Sequence, residues 1–152
     1  MSKMQADDPV VARSTRRWQQ VGVWLLLILV LSFPLYKLTE GSRRASAATQ
    51  QQQAQIVTGT QLWAGNCAVC HGPMGEGVDA PALNSQEFLT TVTDAQIRDI
   101  IRGGVPGTEM PAWLSDYGGP LTEEQIQALV VYIRSWEATA PPRPDWRTPS
   151  GG

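Results

Sequence analysis

Residues 67–71 read Cys67-Ala68-Val69-Cys70-His71, and this run holds both cysteines and the single histidine of the 152-residue chain. On a helix, Cys67 and Cys70 stand i, i+3, about one turn apart on one face, and His71 projects from the same turn. A disulfide across so short a loop constrains little of the unfolded chain, so the pair does not read as a structural cross-link. A zinc site needs further Cys or His ligands, and the sequence has none. A thioredoxin-like redox motif belongs beside a βαβ pattern, which is missing. Two thiols left merely packed would also sit poorly in an oxidising compartment.

C-x-x-C-H is a haem-attachment signature, and its spacing has a mechanical reason. Thioether bonds to the two vinyl groups on adjacent edges of the porphyrin need two thiols about one turn apart. The next residue is then placed to bring an imidazole to the iron. The motif therefore predicts one covalent haem c, attached through Cys67 and Cys70, with His71 as a metal ligand. With no second histidine, the other axial position falls to a methionine, of which there are four. Met1 and Met4 precede a long apolar run, and Met74 follows His71 too soon for the chain to pass around the ring. Met110 lies in residues 103–113, GGVPGTEMPAW, a Gly- and Pro-rich loop that can present a side chain without helical constraint. It is the predicted second metal ligand, set against a plain packing role, and its soft thioether favours ferrous iron.

Outward from the motif, the chain divides by composition. Residues 21–36, VGVWLLLILVLSFPLY, carry no charge. The stretch 18–38 would make about 31 Å of helix, against a bilayer core of about 30 Å, so it reads as a single transmembrane helix. Trp18, Trp24 and Tyr36 suit the interfaces, and Pro34 lies near one end, where a lost backbone bond is most easily satisfied. A cleaved signal peptide is the competing reading, with Ala45-Ser46-Ala47 as the small-residue site. That site lies beyond Lys37, Arg43 and Arg44, well past the apolar run, so retention is favoured. Residues 1–17 form the expected N-terminal segment. Residues 39–55, with a four-Gln run and no apolar periodicity, read as a flexible linker with a root-mean-square span of about 20 Å. Residues 139–152 read as a Pro-rich extended tail, either disordered or a strap against a partner protein with Trp146 as anchor.

Residues 56–138 form the predicted domain, and its pattern is all-α. Thr93-Asp94-Ala95-Gln96 is a capping box that opens a helix with Ile97, Ile100 and Ile101 on one face and stops at Gly103-Gly104. Thr122-Glu123-Glu124-Gln125 opens another, with Ile126, Leu129, Val130 and Ile133 as its apolar face. An earlier helix runs from about Val57 into Cys70, and no strand pattern is evident.

Charge narrows the function classes. The net charge before residue 41 is +2, and beyond residue 55 it is −6. No basic face is available for phosphate contacts, which argues against nucleic-acid binding. The basic residues near the two ends of the apolar helix balance, so charge alone does not orient it.

The region from about Gly59 to Trp136 resembles a class I cytochrome c. Gly59 and Trp63 match that family's small-plus-aromatic pair on the first helix, and Leu129 and Tyr132 match the last helix that crosses it. The resemblance implies short helices around one covalently bound haem, here preceded by the transmembrane helix. It implies that Pro81 offers its carbonyl to His71, in preference to Pro73. Arg102 is placed either against a haem propionate or in an ordinary surface ion pair, and Trp113 either lines the haem crevice or fills core. It also implies that the haem domain lies on the periplasmic or extracytoplasmic side of the cell membrane, with the N-terminus cytoplasmic. With both axial positions filled, the expected role is that of an electron carrier and not an enzyme. The partners implied are the membrane and either redox partner proteins or other subunits of a respiratory or photosynthetic electron-transfer complex. The monohaem subunit of bacterial alternative complex III is one specific resemblance. A haem peroxidase and a haem-based sensor are the competing functions. The first lacks an obvious distal acid–base group beyond Glu109, and the second has too short an N-terminal segment for an enzymatic output.

Overall fold

A computed structural model describes residues 9–149. Residues 1–8, part of the expected cytoplasmic segment, and residues 150–152 lie outside the described residues. Helix α1 is assigned to Pro9–Asn66, followed by α2 (Ala68–His71), α3 (Gln86–Thr91), α4 (Asp94–Gly103) and α5 (Glu123–Arg134). Among the described residues there is no strand, only an isolated bridge pairing Leu114 with Leu121. The chain forms two compact units, divided between Ala48 and Thr49.

In the first unit the apolar side chains from Trp18 to Leu38 are outward-facing, Leu26 at 64% and Leu29 at 67% of full exposure. A helix that presents Leu, Ile and Val all round has no core to enter, and a bilayer is the solvent that suits it. It is the one helix among the described residues long and apolar enough to cross a membrane, and the protein is membrane-anchored. Residues 39–55, expected as a flexible linker, are helical instead. Beyond Gly41 this stretch has neither Gly nor Pro, and its Ala, Gln and Arg residues are good helix formers. Glu40 adds ion pairs to Lys37, at 3.7 Å, and to Arg44 one turn on.

The second unit is built where the end of α1 meets α5. A Cβ on Gly59 would lie 2.3 Å from the Ala128 carbonyl oxygen and 2.6 Å from Tyr132 Cβ, so only glycine lets the helices approach this closely. Gly59→Ala is expected to destabilise the domain by about 1–3 kcal/mol, because the clash is with backbone and a helical Cβ that cannot swing away. Chemical denaturation of the purified protein measures it. Around the crossing, Trp63, Ile126, Leu129, Val130 and Ile133 are fully buried. Trp63 packs edge-on to Trp136 at 5.0 Å and Tyr132 packs on Trp136 at 4.9 Å, a favourable geometry for aromatic quadrupoles. The Trp63 indole N–H donates to the Gly72 carbonyl at 3.1 Å, which ties the core to the turn after the cysteines.

Both capping boxes form, at Thr93 with Gln96 and at Thr122 with Gln125. Helix α4 lies on α5, and Arg98 donates to Gln127 Oε1 between them at 2.7 Å. Arg134, near the end of α5, donates to the Leu89 and Val92 carbonyls and to Asp94, joining the end of α3 and the start of α4.

Within the chain itself the tail is ordered. Residues 141–149 fold back on their own domain, including a turn, and neither hang free nor run fully extended. The Gln86 N–H donates to the Pro141 carbonyl at 3.1 Å, and the Arg143 N–H donates to Glu87 Oε2 at 2.6 Å. The Arg143 guanidinium donates to the Glu76 carbonyl. The physical reason is Trp146, whose large apolar ring packs edge-on against Phe88 at 5.2 Å and is partly buried there.

Candidate functional site

Helix α1 ends at Asn66 and the chain re-enters a helical turn at Ala68, with Cys67 between them. The break is slight, because the Cys67 N–H still donates to the Trp63 carbonyl at 2.9 Å and the His71 N–H to the Cys67 carbonyl at 3.0 Å. Cys67, Cys70 and His71 thus keep helical spacing, as thioether attachment requires. Gly72 ends the turn at φ 85°, in a conformation that favours glycine. The loop behind it is pinned by the Cys70 carbonyl, which accepts from the backbone N–H groups of Val78, Asp79 and Ala80 at 3.2, 2.9 and 3.1 Å. That pinning brings Pro81 to His71: Nδ1 lies 2.9 Å from the Pro81 carbonyl oxygen. A carbonyl can only accept, so the Nδ1 atom carries the proton and Nε2 holds the lone pair a metal needs.

The Met110 loop is shaped by its glycines. Gly104 sits at φ 67°, and a Cβ there would lie 2.6 Å from the Met110 carbonyl oxygen. The Val105 N–H closes the loop onto that carbonyl at 3.0 Å, and the Met110 N–H donates to Thr108 Oγ1 at 3.2 Å.

These segments enclose one cavity of about 530 Å³. Its volume falls within the roughly 300–1,000 Å³ typical of cofactor sites. Cys67, Cys70, His71, Pro81, Met110 and Trp113 all line it. Arg102 does not; its guanidinium pairs with Glu123 at 3.2 Å and Asp99 at 3.6 Å, the surface-ion-pair alternative. Sequence reasoning missed Phe88, from the short helix α3, Val92, which follows its last residue, and Trp146, from the tail, as cavity residues. The signal for α3 was Ser85, a buried N-cap whose hydroxyl accepts from the Phe88 N–H at 3.0 Å. No local pattern marked Trp146 as a cavity residue.

Burial pushes the Cys67 thiol up to about 11, with the neighbouring Cys70 adding to the rise, so Cys67 is a neutral thiol at physiological pH. Burial also lowers the affinity of His71 for a second proton, and the hydrogen bond to Pro81 only partly offsets this. The neutral imidazole is the ligating form. Among the described residues, no three His, Cys, Asp or Glu side chains are grouped to hold a bare metal ion. The donor set suits a metal carried inside a large apolar group: two thiols for the group's edge, an imidazole for its metal, and apolar walls.

A strand-free domain folded around such a chamber is a c-type cytochrome, and haem c is the group it takes. Residues 54–133, more than half of the chain, match the family described as cytochrome c oxidase, cbb3-type, subunit III, and the chain belongs to that family. A curated relative, the cbb3-type cytochrome c oxidase subunit FixP of Bradyrhizobium sp. (strain ORS 278), is 32% identical over 96 residues, covering 61% of this chain and 31% of the relative. The subunit CcoP of Rubrivivax gelatinosus is 33% identical over 95 residues, 62% of this chain and 30% of its own length. The chain thus spans about a third of the length of the curated relatives it matches. No solved structure matches.

Proposed function

We propose that the chain is a membrane-anchored one-electron relay with a single haem c. Cys67 and Cys70 hold the haem, His71 and Met110 ligate its iron, and the domain serves as a cytochrome subunit of a terminal-oxidase-type respiratory complex. The observation that carries the reading is the convergence of Cys67, Cys70, His71 and Met110 on one apolar cavity, although Met110 lies far along the chain from the other three. When bound, the haem supplies reversible exchange of one electron between ferric and ferrous iron. The two thiols attach it by adding S–H across its vinyl groups, which leaves no by-product. The Pro81 carbonyl holds the Nδ1 proton of His71 and so fixes the ring and its tautomer. Ile97, Ile101 and Phe88 exclude water from the chamber, which together with the thioether of Met110 favours the less charged ferrous state.

The relatives named as oxidase subunits favour a terminal oxidase over the alternative complex III setting. A covalently attached haem favours the outer side of the membrane for the domain, with the N-terminus inside. With a net charge of −6 beyond residue 55, the partner surface is either basic or joined by an apolar, permanent contact. Gentle detergent extraction of native membranes, followed by haem staining and redox titration of the co-purifying complex, tests the reading. A haem-stained band that travels with oxidase subunits and titrates as one electron supports it. A pigmented protein that purifies alone and turns over peroxide replaces it.

A further inference from the structure

Trp146 lies beyond residues 54–133, the part matched to the family, yet it lines the haem cavity. Its ring meets Phe88 edge-on at 5.2 Å, and the Arg147 guanidinium covers it at 4.2 Å from the ring centroid. Its backbone makes a more specific connection. The Ala82 N–H donates to the Trp146 carbonyl at 2.7 Å. That N–H belongs to the Pro81–Ala82 peptide, whose oxygen accepts from His71 Nδ1 at 2.9 Å. One planar amide is therefore held at both ends: its oxygen by the axial histidine, its nitrogen by the tail. Rotating the amide plane to lose one bond loses the other, and each bond polarises the amide in favour of its neighbour.

We propose that Trp146 is a positioning residue of the haem site: its carbonyl holds the Pro81–Ala82 amide that orients His71, and its ring closes the cavity. The tail is thus part of the haem site. The inference rests on the haem reading. A chain without covalent pigment removes that reading, whereas a pigmented chain indifferent to Trp146 removes only this one.

The test uses the full-length, haem-loaded protein. Trp146→Ala takes away the ring that buries the tail and admits water to the cavity. The oxidation equilibrium is expected to move about ten-fold toward ferric iron, which for one electron is about 59 mV lower potential. In the reduced protein, hydrogen exchange of the His71 ring N–H and the Ala82 amide, followed by NMR, is expected to quicken together by about ten-fold. Trp146→Phe keeps an aromatic cover and is expected to restore all three readouts to within about two-fold. A merely structural tail would free the Ala82 amide while leaving the His71 proton and the potential unmoved, and that result overturns the proposal. Should Trp146→Ala fail to accumulate with pigment, Arg143→Ala loosens the same strap at Glu76 and is expected to shift the same readouts by about three-fold. An unmoved His71 proton there overturns the proposal equally.

Discussion

Replacing Cys67 and Cys70 together with Ser is expected to leave a membrane protein whose domain is colourless and unfolded. Serine cannot form the thioether links, so any haem is held only by His71 and Met110 and is lost to acidic acetone. The energetic consequence follows from the cavity. Without haem the apolar walls of a space of about 530 Å³ are left facing water. The whole net stability of a small domain is only about 5–15 kcal/mol, so the loss of that burial is expected to unfold it, and folding and haem binding are linked. Far-ultraviolet circular dichroism of the soluble domain would show the loss, with the anchor helix in detergent unaffected. A well-folded, cooperative double variant would show that the protein core does not need the haem.

Met110→Ala carries the second large effect. The thioether is the one soft side chain of the loop at residues 103–113, and no second imidazole exists to replace it. Removing it is expected to lower the reduction potential by on the order of 0.1–0.3 V, within the roughly 0.8 V that axial ligation spans. The vacated position should then bind carbon monoxide, which the parent protein is expected to exclude. Potentiometric titration and carbon monoxide difference spectra check both. A variant whose spectrum and potential match the parent would assign Met110 to packing alone.

What could be read from the sequence was what is local. Cys67, Cys70 and His71 declare themselves within five residues, and both capping boxes lie within four. The placement of Pro81 beside His71 came through family resemblance, because nine residues of irregular loop lie between them. Met110 emerged by elimination among four methionines, a chemical argument and not a conformational one. Helix α3 escaped notice because six residues with Phe88 and Leu89 side by side show no helical period. Residues 39–55 have no apolar face, and the missing stripe outweighed a helix propensity that their Ala and Gln residues carry. Trp146 stood out as an anchor, but its place in the cavity was beyond reach: its partners, Ala82 and Phe88, are distant in sequence, and nothing near it signals them. Arg102 shows the limit on charge, since a guanidinium near a haem domain suits a propionate or an acid equally until Glu123 is seen beside it.

The most direct measurement is the intact mass and colour of the purified chain after extraction with acidic acetone and denaturing electrophoresis. Expected is a red band that keeps its pigment, with a mass exceeding the bare polypeptide by a single haem. A colourless chain of unmodified mass, or pigment carried off by the solvent, would contradict covalent attachment at Cys67 and Cys70 and the function built on it.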